Sequence, residues 1–209
     1  RLVGGVVDVV ARGLQGAVNA ALTLSFAEAP SPGVRDAEIK MLKEVYGDSI
    51  DYSVVRVKQG GSTDWTGMAP HVVGNTIYMP NKWGGDNFNP DGSFTENGLE
   101  TLVHELGHVW QNQNGGGDFV HRSLLAQLIA TLQSGSRNGA YEWREGYSQG
   151  KPFAELNPEQ QAHLIEDIGK GLKGDGSVTV NDWSPPLSPA ELSYVMKAWE
   201  MVKRGEGAR

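Results

Sequence analysis

The chain contains no cysteine. That absence removes disulfides, thiol nucleophiles and cysteine-ligated zinc together, and leaves His, Asp and Glu as the residues able to ligate a metal. Positive charge is also scarce: the net charge is -7, with no Lys/Arg cluster beyond Lys203-Arg204. The electrostatic footprint that a phosphate backbone requires is missing, so nucleic acid is not an expected partner. Long apolar runs are lacking as well. The stretch from Leu2 to Leu24 carries Asp8 and Arg12 in its middle, where neither a spanning helix nor a secretory h-region tolerates charge, so no membrane span is expected. No internal repeat or low-complexity tract stands out. The first residue is Arg1, not Met, which reads as a mature fragment or a domain cut from a longer polypeptide.

What is present is an ordinary globular balance, 39% hydrophobic and 21% charged over 209 residues, enough for one domain with its own core. Residues 1–30 read as a helix of modest propensity or a linker, and residues 31–209 as the domain proper, with two lobes around a cleft. Ser31-Pro32 ahead of Glu38, Met41, Leu42 and Val45 predicts a capped helix ending before Gly47. Ile50 to Lys58 alternates apolar with polar residues and predicts a strand, and His71 to Met79 predicts a second one, at a sheet edge because it runs into Pro80. A loop rich in Gly, Asn, Asp and Pro follows from Asn81 to Gly92. Helices are predicted from Asn97 to Gln113, from Phe119 to Leu132 with Asp118 as cap, from Asn157-Pro158-Glu159 onwards, and from the capping box Ser188-Pro189-Ala190-Glu191 through Trp199. The fold class expected is α+β, mainly helical, with a small sheet beside the helix that follows it.

The chemistry concentrates in His104-Glu105-Leu106-Gly107-His108. Two histidines four residues apart on a helix project from one face and can bind one ion, and zinc accepts neutral imidazole readily. A catalytic zinc site keeps three protein ligands and an open position. A purely structural site has no use for a carboxylate between the histidines, so Glu105 is the expected general base towards a metal-activated water. The third ligand is open between Glu155, Glu159, Glu166 and Asp167, all downstream on or near the next helix.

His104-Glu105-Leu106-Gly107-His108, followed after fifty residues by Glu159-Gln160-Gln161-Ala162, resembles the gluzincin class of zinc metallopeptidases. In that class a Glu on a second helix completes the ligand set, which implies Glu159 as the third ligand; Glu155 is the second choice. The class often places Asp four residues after this Glu to hold a metal histidine; here that position is His163. More narrowly, the run from Gly74 through the metal helix to Phe153 and the Glu159 segment resembles metallopeptidase-like effector and toxin domains fused to type VI secretion VgrG spikes. The resemblance covers about residues 71 to 168. It implies a zincin-like fold, Zn2+, a peptide or protein substrate, carriage on a secretion spike, and secretion with delivery into a target cell or its periplasm.

Other residues carry weaker expectations. Val73 to Met79 is the candidate edge strand for a substrate backbone, and Tyr141, Tyr147, His163 and Arg144 are candidate oxyanion donors. His71 and His121 read as surface or packing residues. The six tryptophans read as core or cleft-wall residues, not a sugar platform. Two other functions share the motif: an interaction or cargo module that uses metal only for stability, and an amidase acting on peptidoglycan stem peptides.

Overall fold

The computed structural model describes residues 36–61, 63–64, 69–115, 142–172, 178–179 and 183–208. The segment 1–30, the Ser31-Pro32 helix start and the expected helix over 119–132 lie outside these residues, as do Trp65, His121 and Tyr141. Among the described residues the order is α1 (Asp36–Tyr46), β1 (Arg56–Gln59), β2 (His71–Val73), β3 (Thr76–Met79), α2 (Glu96–Gly115), α3 (Trp143–Ser148), α4 (Pro158–Gly171) and α5 (Pro189–Lys203). Single turns of 3-10 helix stand at Tyr52–Val54 and Phe153–Glu155. The class is α+β, mostly helical with one small sheet.

Helix α2 begins where Thr95 accepts the Gly98 N–H through Oγ1 at 3.0 Å, which satisfies one of the free donors of the first turn. Its apolar stripe of Leu102, Leu106, Val109 and Trp110 is fully buried, as the three-and-four spacing predicts. From Glu105 to Gln111 every residue is buried, so a polar face of this helix also lies inside the protein. Trp110 Nε1 donates to Val202 O at 3.0 Å and ties α2 to the end of α5. Trp199 Nε1 in turn donates to Val45 O at 2.8 Å and joins α5 to α1.

Helix α4 starts with the capping box that Asn157 and Gln160 complete, with Pro158 in its first turn. It buries Leu164, Ile165 and Ile168. Its crossing with α2 is set by two small residues. A Cβ on Gly107 would stand 3.1 Å from both Cα and Cβ of Ala162, tighter than ordinary side-chain contact, so the missing side chain at 107 lets the two backbones sit this close without Ala162 yielding. Gly107 lies between His104 and His108, and Ala162 lies three residues after Glu159. The close approach therefore brings those residues face to face.

Two strand expectations are corrected. The segment 50–58 divides: Asp51 accepts the Ser53 N–H and caps a 3-10 turn, and extended structure begins only at Arg56. The segment His71 to Met79 is a hairpin rather than one strand, because Gly74 takes φ +61, a conformation that reverses the chain. The sheet order is β1-β3-β2. Strand β3 pairs in parallel with β1 (Arg56↔Thr76) and antiparallel with β2 (His71↔Tyr78). Among the described residues it is thus central, with Thr76 to Tyr78 paired on both sides and so not free to pair with a substrate; of the expected substrate segment Val73 to Met79, Val73 lies in the outer strand β2.

The loop between β3 and α2 is pinned to the helix start. Fully buried Asn87 donates to Pro80 O at 2.8 Å and accepts from Asn97 Nδ2 at 2.7 Å. A Cβ at Gly98 would meet Asn87 O at 1.9 Å, so glycine is required there. Trp83 in this loop is 46% exposed and is not a core residue. Trp110, Trp143, Trp183 and Trp199 are buried.

Candidate metal centre

On α2, His104 and His108 stand one turn apart with ring centroids 5.2 Å apart. Across the crossing, Glu159 in the first turn of α4 places Oε2 3.5 Å from His104 Nε2 and 3.4 Å from His108 Nε2. One ligand atom from each of the three lies within 4.8 Å of the others. A tetrahedral ion with bonds of about 2.0–2.1 Å sets its ligands about 3.4 Å apart, which is the spacing of the Glu159 oxygen from each imidazole nitrogen. The donor set, two imidazoles and one carboxylate, suits zinc.

Both rings are oriented from behind. His104 Nδ1 lies 2.9 Å from Glu166 Oε2, and His108 Nδ1 lies 2.8 Å from Gln111 Oε1. Acceptors at both Nδ1 atoms hold a proton there and turn Nε2 towards the centre, so the neutral rings present their Nε2 lone pairs to it, the arrangement that metal-ligating histidines adopt. Tyr46 steadies the same helix turn, donating through its buried hydroxyl to Val103 O at 2.5 Å.

The electrostatics favour a cation. Burial opposes charge on Glu159, but His108 and the hydrogen bonds to both imidazoles outweigh it and hold its carboxyl well below the usual range. Burial likewise opposes charge on Glu166, and His104 and Lys170 outweigh it, drawing its pKa down to about 2. Burial lowers the pKa of both imidazoles, yet Glu159 and Glu166 raise that of His104 well above normal, and Glu159 raises that of His108. The carboxylates of Glu159, Glu166 and Glu105 around the two imidazoles thus attract positive charge, which a proton or a metal ion can supply.

Glu105 is buried, and its Oε2 has no hydrogen-bond partner among the described residues. Burial pushes its pKa up, and the charges of His108 and His104 only partly reverse that. A buried carboxylate oxygen left unpaired is costly in a purely structural role.

Of the four third-ligand candidates, only Glu159 brings an oxygen to both Nε2 atoms. Glu166 sits behind His104 instead. Asp167 accepts from Trp143 Nε1 at 2.9 Å, and Glu155 is exposed in the 3-10 turn before α4. Three candidate oxyanion donors are engaged elsewhere. Arg144 donates to Pro185 O at 2.6 Å and pairs with Glu191 at 3.3 Å. His163 Nε2 faces Asp167 Oδ1 at 3.9 Å, and Tyr147 packs on the Tyr194 ring at 5.0 Å. His71 stacks on Tyr78, a packing role as expected. Sequence reasoning passed over Gln111 and Gly107. Gln111 carried a usable signal, since it lies three residues after His108 and so shares its helix face.

The class defined by these observations is an α+β protein with a buried two-histidine, one-glutamate cluster at a helix crossing that could bind a metal. No protein-family model matches the chain. Over 142 residues it is 30% identical to the type VI secretion system spike protein VgrG2b of Pseudomonas aeruginosa, a match that covers 63% of this chain and 12% of that protein. Among solved structures it is similar to the effector domain of Pseudomonas aeruginosa VgrG2b, with 24% identity, a TM-score of 0.46, and coverage of 79% of this chain and 90% of that one. Among the described residues no helix is long and apolar enough to cross a membrane.

Proposed function

We propose that this chain is a zinc-dependent peptidase domain of a type VI secretion effector, with His104, His108 and Glu159 as metal ligands and Glu105 as general base. The observation that carries the reading is Glu159 Oε2 at 3.5 and 3.4 Å from two Nε2 atoms, beside a buried Glu105 whose Oε2 is unpaired among the described residues. When bound, zinc supplies Lewis acidity towards a carbonyl oxygen and towards water. Glu105 takes the water's proton at its free carboxylate oxygen and passes it to the leaving amine, a role that its burial supports by raising its proton affinity. Glu166 and Gln111 hold the imidazoles with Nε2 facing inward.

The effector assignment draws on the similarity to the spike protein. It carries with it a peptide or protein substrate, carriage on a secretion spike, and delivery into a target cell or its periplasm. The test is incubation of the zinc-loaded protein with a complex peptide library, read by mass spectrometry against Glu105→Gln, which keeps shape and removes the base. Cleavage by the parent alone is expected. Identical, empty profiles together with retained zinc would overturn the peptidase reading in favour of a metal-stabilised interaction module or a cell-wall amidase.

A further inference from the structure

Gln111 and Gln161 are fully buried, and their amides form a chain whose direction is fixed at its far end. Gln161 Nε2 lies 3.0 Å from Phe153 O and 2.7 Å from Gly207 O. Carbonyl oxygens only accept, so the Gln161 nitrogen must face them and its Oε1 must face Gln111. Gln111 Nε2 then donates to Gln161 Oε1 at 3.1 Å and to Pro158 O at 2.9 Å. Both of its protons are used, and its Oε1 is left for His108 Nδ1 at 2.8 Å. An amide oxygen cannot donate. Nδ1 of His108 must therefore carry a proton, so the neutral ring has its lone pair on Nε2, the nitrogen that faces Glu159. Reversing either amide would set nitrogen against proton and oxygen against carbonyl at several buried contacts.

The chain ends in the residues after α5. Gly207 takes φ +79, and a Cβ there would stand 2.7 Å from Met201 Cε. Glu206 N donates to Met201 O at 2.9 Å, and a Cβ on Gly115, the last residue of α2, would meet the Ala208 carbonyl at 2.9 Å. The segment is seated closely on α2 and on the turn before α4, and one of its carbonyls is an anchor of the amide chain.

We infer that Gln111 and Gln161 are positioning residues forming a directional amide relay, which fixes the tautomer of His108 and couples the seating of residues 204–208 to metal affinity. The inference rests on the reading of the His104, His108, Glu159 cluster as a metal site. Among the described residues Gln161 hydrogen-bonds to Gln111, Phe153 and Gly207 and to neither imidazole, so its hydrogen-bonded route to His108 runs through Gln111.

The test is zinc affinity by competition with a chromophoric chelator, paired with the 15N histidine signature of the metal-free protein above its imidazole titration. Gln111→Met is expected to weaken zinc about 10–100-fold, the range for outer-shell partners. Gln161→Met is expected to weaken it in the same direction by less, and the double variant to be no weaker than Gln111→Met. The signature should report protonated Nδ1 in the parent and a tautomer mixture in Gln161→Met. Gly207→Val, which unseats the segment without altering either amide, should fall between the parent and Gln161→Met. A folded Gln161→Met with parental affinity and signature overturns the relay. If that variant does not fold, Gln111→Asn, whose shorter arm cannot span His108 and Gln161, decides by the same two readouts. Equal zinc uptake by the parent and His104→Ala would overturn the metal reading instead, and the 15N signature would still judge the relay on its own.

Discussion

The two histidines lie on one helix, one turn apart, and share Glu159, yet what stands behind them differs in kind. Behind His104 the support is ionic. Glu166 accepts from Nδ1, Lys170 Nζ donates to Glu166 at 2.7 Å, and Lys170 also pairs with Glu100 at 3.2 Å. The Lys170 and Glu100 side chains are about two-fifths exposed. Behind His108 the support is neutral: two buried glutamines and three backbone carbonyls. The difference follows depth. A carboxylate placed where Gln111 sits would need a buried counter-charge, and breaking such a pair is costly, whereas an amide chain is satisfied by hydrogen bonds alone. One half of the centre can therefore respond to salt and solvent, and the other is held by geometry.

The largest effect should come from breaking both halves together. Gly107→Val places a branched side chain where even a Cβ would be 3.1 Å from Ala162, and overpacking of this kind costs about 1–3 kcal/mol. Since the crossing sets the distance from Glu159 to both Nε2 atoms, zinc affinity by chelator competition should fall by more than the roughly 100-fold upper range for a single outer partner, along with a lower melting temperature. If the melting temperature falls and the affinity does not, the crossing is not what spaces the donors.

How much of this was open to sequence reading depends on whether the signal was periodic. Helices α2, α4 and α5 were legible because buried apolar residues recur every three or four positions and because Asn157 and Ser188 are explicit caps. His104 and His108 were legible as a pair for the same reason, a fixed spacing on a fixed period. Glu159 required a likeness between chains, since nothing local separates it from Glu166 seven residues on the same helix. The hairpin at Gly74 was missed because Val72, Val73, Ile77 and Tyr78 read as one apolar run, and a single glycine within it carried the reversal. Glu166 behind His104, and the Gln111 to Gln161 chain, depend on how two helices cross, a property of packing that no window along the chain contains. The same crossing explains Gly107, which by propensity alone is a poor helix residue.

The intermediate effect isolates the ionic half. Glu166→Gln keeps an oxygen that can accept from His104 Nδ1 but removes the charge that Lys170 answers. Zinc affinity should drop by about tenfold, the low end for an outer partner, because the hydrogen bond that orients the ring survives. Affinity of the parent should also depend on ionic strength more steeply than that of the variant. Gln111→Met loses its hydrogen bond outright and should leave the salt dependence as it was. Equal salt slopes for the parent and Glu166→Gln would remove the distinction between the two supports.

The smallest effect lies one step further out. Lys170→Met leaves Glu166 on His104 and deletes only the cation behind it, a group 40% exposed at its side chain. Exposed or half-exposed ion pairs contribute about 0–1 kcal/mol, so zinc affinity should change by no more than about fivefold, and the change should vanish at high salt, where the Debye length falls to about 3 Å. A loss that persists at high salt would mean that Lys170 acts by holding the carboxylate in place rather than by its charge. In that event the ionic half would be a geometric device like the neutral one, and the two histidines would differ in the atoms behind them but not in the principle.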